Sequence, residues 1–463
     1  VIFALLHKLI KEMKINKINY QRFNSLDTLL VISSFPLLGE EIALRNAVSR
    51  YTHLLLKHFP TQQRVVVLCE KVPGKDNSAY LLNKNILILP TYDWNNPLLF
   101  KQLHKKIKDF NLVKNILLQF EFSLFGKEII TFSLPFFFLW QKLMGKKVYT
   151  MLHQVVLDLS TLSGQVNLKT SSLKTFFFNL AMLFFYSVFG LASEKVFVHD
   201  QFLAEKLSLL MPEKKTLVIP HGINGYKSFK HKEKVAIKKR LSLPADTKIV
   251  LAYGYQSWYK GTDWLIKNFL SLKKLGKIAP DVKLLLAGDV APTQKNQAHL
   301  INYYKNLSKL IRNNSDHVLS TGFVPEDKVA EVFAIADLVV FPYRSRMSSS
   351  GALALALQYK KPFIFSNFFG ENLATDEMVL LAKKLKINTK NLQFKLNGES
   401  FAKAFLLNWQ NKIAAKKMSN FAGVISKEHD WNKVAEQYLD ATFTSESKLS
   451  QLNGELAYSR TSV

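Results

Sequence analysis

Short apolar runs recur along this chain with room for one helix between each pair, and that alternation constrains the fold more than any other feature. In the first half the runs are Leu29-Leu-Val-Ile-Ser-Ser34, Val65-Val-Val-Leu-Cys69, Ile86-Leu-Ile-Leu-Pro90, Ile116-Leu-Leu-Gln119, Val148-Tyr-Thr-Met-Leu152, Val196-Phe-Val-His199 and Leu217-Val-Ile-Pro220. Runs of four to six apolar residues suit strands covered on both faces, and strands alternating with helices make a parallel sheet wound by helices on each side. A second series begins after a lysine-rich stretch, Gly225 to Arg240, which reads as a linker. It holds Lys248-Ile-Val-Leu-Ala-Tyr253, Val282-Lys-Leu-Leu-Leu-Ala-Gly288, His317-Val-Leu-Ser-Thr-Gly-Phe-Val324, Asp337-Leu-Val-Val-Phe341 and Phe363-Ile-Phe-Ser366. With 463 residues the chain exceeds one ordinary core, so each series is expected to form its own α/β domain.

Charge and cysteine content narrow the partners. Lys plus Arg number 63 against 35 Asp plus Glu, a formal +28, which favours an anionic partner such as a membrane surface or a phosphorylated substrate. Nucleic acid is not expected, because no reader motif is present and the aromatics sit in apolar runs apart from the basic residues. The single cysteine, Cys69, rules out an intramolecular disulfide and suits a reducing, cytoplasmic setting. The first six residues, Val1-Ile-Phe-Ala-Leu-Leu6, fall short of a signal-peptide core, and a start at valine points to an unusual start codon or a truncated chain. The longest apolar run, Thr175 to Ala192, reads as a helix buried in its domain or lying in a membrane interface.

Chemistry is expected just past strand ends, where open α/β sheets bind ligands. In the first half, Glu121, His153 and Asp200 follow successive strands, and Phe35 opens the turn after the first. A carboxylate and an imidazole so placed could orient a hydroxyl or accept its proton. In the second half two loops carry the signal. Gly254-Tyr-Gln-Ser-Trp-Tyr-Lys-Gly261 brings a lysine to a helix entry between two glycines. Tyr343-Arg-Ser-Arg-Met-Ser-Ser-Ser-Gly351 puts Arg344 and Arg346 before a helix opened by Ser350 and Gly351. The free N–H groups of such a helix start favour a phosphate, so the two loops together are expected to hold the diphosphate of a sugar nucleotide. The tail from about Thr442 lacks apolar periodicity and is expected to be disordered.

In order, Ile219-Pro-His-Gly222, Gly254-Tyr-Gln-Ser-Trp-Tyr-Lys-Gly261, Leu286-Ala-Gly288, Gly322-Phe-Val-Pro-Glu326, Ala336-Asp-Leu-Val-Val-Phe-Pro-Tyr343, Ser349-Ser-Gly-Ala-Leu-Ala and Lys361-Pro362 resemble family 4 glycosyltransferases of the GT-B fold. Gln119-Phe-Glu-Phe-Ser-Leu-Phe-Gly126 and Leu152-His153 resemble acceptor-side signatures, and Trp431-Asn-Lys-Val-Ala-Glu-Gln-Tyr438 a terminal helix crossing back to the first domain. The resemblance implies two Rossmann-like domains facing across a cleft. They would be an acceptor-side domain over 28–224 after a basic lead (1–27), a sugar-nucleotide domain over 240–428, the crossing helix over 429–443 and a tail over 444–463. It implies transfer of a sugar from a sugar nucleotide to a saccharide or lipid-linked acceptor in cell-surface glycan synthesis, with retention, without a catalytic metal and with no cofactor beyond the donor itself. It places such an enzyme in the cytoplasm or on the inner face of the membrane. The residues implied at the donor are Gly254, Tyr259, Lys260, Arg344, Ser349, Ser350 and Gly351. Those on the acceptor side are Phe35, Glu121, His153 and Asp200, with His153, Lys260 and Arg344 as the catalytic set. Departures from the pattern are Tyr255, where an arginine is common, and Met347 and Leu355, where a pair of glutamates is common. They leave a binding homologue without catalysis as the alternative reading.

Overall fold

In a computed structural model of the chain, the residues described are 19–40, 46–158, 160, 173–226, 228–291, 294, 297–345, 350–373 and 375–443. The expected tail from 444, most of the basic lead, and Arg346, Met347 and Ser349 lie outside them.

The first lobe is an eight-stranded sheet of β1 Thr28–Ile32, β2 Arg64–Lys71, β3 Tyr80–Asn83, β4 Ile86–Asp93, β5 Asn115–Phe120, β6 Lys147–Leu152, β7 Lys195–Val198 and β8 Thr216–Val218. Its order is β3-β4-β2-β1-β5-β6-β7-β8, parallel except for β3 against β4. The second lobe is a six-stranded, wholly parallel sheet of β9 Ile249–Tyr253, β10 Lys283–Ala287, β11 Val318–Gly322, β12 Leu338–Phe341, β13 Phe363–Ser366 and β14 Gln393–Phe394, in the order β11-β10-β9-β12-β13-β14. The expected apolar runs are these strands, and the side chains of the central ones are buried on both faces, as parallel sheets require, while the edge strands β8 and β11 are half-exposed. Two strands escaped the pattern. β3 is a half-exposed edge strand, and β14 has only two residues.

Both sheets reverse direction of growth at one strand pair. In the first the chain runs outward from β1 through β2 and returns at β5; in the second it runs outward from β9 through β11 and returns at β12. Crevices therefore open at the carboxyl ends of β1/β5 and β9/β12. The lysine-rich stretch expected to be a linker is in part the helix His231–Arg240, whose Ile237 enters the second core. The chain returns to the first lobe after the helix Lys412–Glu428, and the helix 431–443 adds Trp431, Val434 and Tyr438 to the core around Leu29, Tyr51 and Leu55. The two crossings touch where the Ile223 N–H donates to the His429 carbonyl at 2.8 Å. Glycine is required at 222, because a Cβ there would lie 2.2 Å from the Trp431 ring.

Candidate functional site

The β9 and β12 loops meet. Gly261 has φ +71°, and a Cβ there would fall 2.1 Å from the Pro342 carbonyl oxygen. The Arg344 N–H donates to the Tyr259 carbonyl at 2.6 Å, so the second loop is pinned onto the first. Gly254, at φ +106°, leaves open the space that Lys260 Nζ takes; a Cβ there would lie 2.6 Å from it. Gly288, after β10, is packed against the Gly254 carbonyl as tightly. Bare backbone thus forms the floor of a crevice lined by Gly254, Tyr255, Lys260, Pro342 and Tyr343. Lys260 Nζ stands 5.8 Å from the Tyr343 ring centre, and the Tyr343 hydroxyl lies 3.5 Å from Ser350 Oγ. Ser350 caps the helix Gly351–Gln358, its Oγ accepting from the Leu353 N–H. A lysine ammonium and a helix N-terminus therefore stand on either side of Tyr343, the two kinds of group that hold a diphosphate.

Arg344 does not fill the role expected of it. Its guanidinium donates to both carboxylate oxygens of Asp263, at 2.9 and 2.7 Å, and to the Trp258 carbonyl at 2.8 Å. Burial alone would raise the Asp263 pKa, but the paired guanidinium holds it below its ordinary value. The arginine is a strut that joins the two loops, with its fork already occupied. Leu355, where a glutamate is common in the family, faces the core and is buried.

The opposite wall carries buried imidazoles. His153, after β6, lies 2.7 Å from the Gln119 amide through Nε2 and 3.1 Å from His199 Nε2 through Nδ1; His199 Nδ1 is 3.2 Å from the Ile219 carbonyl. If His199 Nδ1 donates to that carbonyl, its Nε2 accepts from His153 Nδ1, and Gln119 must offer its amide NH2 to His153 Nε2. Every contact then pairs a donor with an acceptor while both rings stay neutral. Burial pushes the His153 pKa down to about 3 and His221 down to about 4, and holds His199 well below its ordinary value. Tyr51 packs edge-on against all three rings, with centroids 4.8 to 5.3 Å apart. Beside them Glu121 accepts from Gln154 Nε2 at 2.9 Å, and burial pushes its pKa up to about 7. Its charge is felt across the cleft at Tyr259.

His153 and Glu121 thus stand together at the cleft edge, but both ring nitrogens of His153 are engaged inside the protein. The imidazole reaching toward the second lobe is His221, which the expected set omitted. Its Nδ1 is bound to the Gly222 carbonyl at 2.9 Å, and its Nε2 lies 3.7 Å from where a Gly351 Cβ would stand, at the helix start. The only signal in the sequence was its place after a strand, in Pro220-His-Gly222. One acceptor-side expectation is corrected: Phe35 is fully buried in the core and has no face on the cleft. Asp200 lines the cavity between the lobes while its Oδ1 caps the helix Gln201–Ser208 by accepting from the Leu203 N–H. The lobes are also clasped. Arg50 Nε and Nη2 donate to the two carboxylate oxygens of Glu326 at 2.6 and 2.5 Å. Even so the gap is not sealed, and a cavity of about 330 Å³ runs between the lobes past His199, His221, Ser350 and His429.

Residues 247–392 match the family described as glycosyl transferases group 1. In structure the chain is similar to a sucrose-phosphate synthase from Thermosynechococcus elongatus, with a TM-score of 0.63 at 16% identity over 94% of this chain and 100% of that one. HepE from Anabaena, solved in complex with UDP-glucose, gives 0.63 at 15% identity over 90% and 99%. WaaG, a glycosyltransferase involved in lipopolysaccharide biosynthesis, gives 0.58 at 12% identity over 90% and 99%. No curated protein matches the chain significantly in sequence. At these identities the structural likeness speaks for the fold, while the family match covers the lobe that holds Lys260 and Gly351. The second lobe thus carries a glycosyl transferases group 1 domain over residues 247–392, in a chain whose whole length has the GT-B fold.

Proposed function

We propose that this enzyme transfers a sugar from a nucleoside-diphosphate sugar to a hydroxyl of a saccharide or lipid-linked acceptor in cell-surface glycan synthesis, with retention at the anomeric carbon and without a catalytic metal. The observation that supports the reading is the junction of the β9 and β12 loops, where Lys260 Nζ lines a crevice with Tyr343, whose hydroxyl lies 3.5 Å from Ser350 Oγ at the start of helix Gly351–Gln358. In the reaction the bond from the anomeric carbon to the diphosphate oxygen breaks, and charge grows on that oxygen. Lys260 and the helix N–H groups meet this charge already oriented, so their stabilisation grows with it. Among the described residues no carboxylate is paired with Lys260, and in this proposal no nucleophile acts from the far side. The acceptor oxygen therefore attacks on the face the diphosphate leaves, and its proton passes to the departing diphosphate. His221 Nε2 is placed to touch the donor at the helix start; His153 positions the wall behind it. Glu121, its pKa pushed up to about 7 by burial, would take or give a proton at an acceptor hydroxyl.

The test is incubation of the pure protein with a panel of sugar nucleotides, reading release of free nucleoside diphosphate. At least one donor is expected to be cleaved slowly by water and faster with added acceptor. A panel bound without any release would favour the non-catalytic binding homologue.

A further inference from the structure

We propose that the first lobe docks on an anionic bilayer through the outward faces of two neighbouring helices, Glu128–Leu143 and Leu173–Ala192. A surface helix normally turns polar residues to water, and these two do the reverse. Ile129, Phe136, Trp140 and Leu143 form one stripe; Phe176, Phe177, Leu180 and Phe184 form another. Spacings of three, four and seven keep the first set on one helix face, and Phe176 or Phe177 with Leu180 and Phe184 keep the second on another, widened by the adjacent pair. All eight are between 42% and 83% exposed. The stripes are one surface, since the Phe136 and Phe184 rings lie 5.9 Å apart and bridge them. Soluble monomers seldom leave contiguous apolar patches beyond a few hundred Å².

The inward faces exclude a transmembrane reading. Leu173–Ala192 has 20 residues and a mean hydropathy of 1.7, long and apolar enough to cross a membrane. Yet Phe185, Tyr186, Val188 and Phe189 are buried in the lobe, and the Tyr186 hydroxyl accepts from the Val156 N–H at 3.0 Å. Crossing a bilayer would tear these out of the core. The helix instead lies along the surface, apolar side outward, as interfacial helices do.

Charge identifies the occupant. Lys127 and Lys174 start the two helices, and Lys142 closes the first, where it pairs with Glu194 at 3.1 Å. The adjacent helix Leu99–Asp109, joined to the patch by His104 packed 4.4 Å from Trp140, adds Lys101, Lys105 and Lys108. Glu128, Asp109 and Glu194 are acids beside them, in a chain of net +28. A second copy of the chain would set this lysine rim near its like; a layer of anionic headgroups would complement it while the aromatics enter the acyl boundary. The proposal serves the lipid-linked acceptor reading, but docking and catalysis are measured separately.

The test is cosedimentation of the full chain with vesicles at about 0.1 M salt, using phosphatidylcholine alone or with roughly one third phosphatidylglycerol. Wild type is expected to sediment with the anionic vesicles and much less with the neutral ones. The double variant F176S/F177S, at two exposed positions, is expected to lose roughly tenfold in partitioning, with its melting temperature and its donor cleavage in solution unchanged. Lys127→Glu with Lys174→Glu is expected to erase the preference for anionic lipid. Wild type remaining in the supernatant with anionic vesicles would overturn the proposal, as would F176S/F177S binding as wild type does. A concentration-dependent dimer that F176S/F177S dissociates, without vesicle binding, would also overturn it and assign the face to a second copy.

Discussion

At the cleft edge of the second lobe, glycines bring bare backbone and a lysine to one crevice, with a helix start beyond Tyr343. At that of the first, three neutral imidazoles are packed against Tyr51, and His153 and His199 turn their hydrogen bonds inward. The comparison shows two ways to prepare a surface for a sugar-transfer reaction. One offers fixed positive charge to a group that gains negative charge. The other removes water and holds polar groups uncharged, so that a hydroxyl can be placed without competing ions.

The sharpest way to break the comparison is to remove the charge. Lys260→Ala is expected to lower the rate of donor cleavage on the order of 100-fold with the melting temperature unchanged; steady-state rates with a fixed donor check this. Next comes the strut. Arg344→Ala is expected to destabilise the protein by about 2 kcal/mol and to weaken donor binding through loop movement, with Arg344→Lys failing to restore either. A double-mutant cycle with Asp263→Asn should show that the two residues act as one unit; independent effects would return Arg344 to the donor.

The first lobe is tested by pH. Glu121 has its pKa raised to about 7 from an ordinary 4.5, so its favourable contribution is full below 4.5 and is lost as pH rises through about 7. Glu121→Gln should therefore gain melting temperature relative to wild type as pH goes from 5 to 8. The imidazoles act with opposite sign. His153 and His221 are lowered from 6.5 to about 3 and about 4, so their contribution is full above 6.5 and is lost as pH falls toward those values. His153→Gln should flatten the acid side of the stability profile. The smallest effect belongs to the clasp. Arg50→Ala should cost about 1 kcal/mol or less in stability and widen the cleft, visible as a larger radius of gyration in solution scattering.

Much of the second lobe was legible in sequence because its chemistry uses local signals. Gly254, Lys260, Gly261, Ser350 and Gly351 are glycines at turns and residues at helix starts, and their loops follow apolar runs. What sequence could not show was that Asp263 would take the Arg344 fork, since that pairing spans 81 positions. The first lobe was less legible for the same reason. Tyr51 sits in the middle of the helix Ala47–Lys57 and becomes part of the site only when Trp431 and Tyr438 return from the far end of the chain. Phe35 and Asp200 both follow strands, but packing buries the first while the second lines the interlobe cavity and also caps a helix. Strand-end position narrows the candidates without saying which way a side chain turns.

The most direct measurement is calorimetric affinity for a nucleoside diphosphate and the matching monophosphate, in wild type and in Lys260→Ala. Wild type is expected to bind the diphosphate at least about tenfold more tightly, and Lys260→Ala to lose that margin. Equal affinity for the two nucleotides in wild type, or a margin that survives the loss of Lys260, would contradict a diphosphate held where the two loops meet.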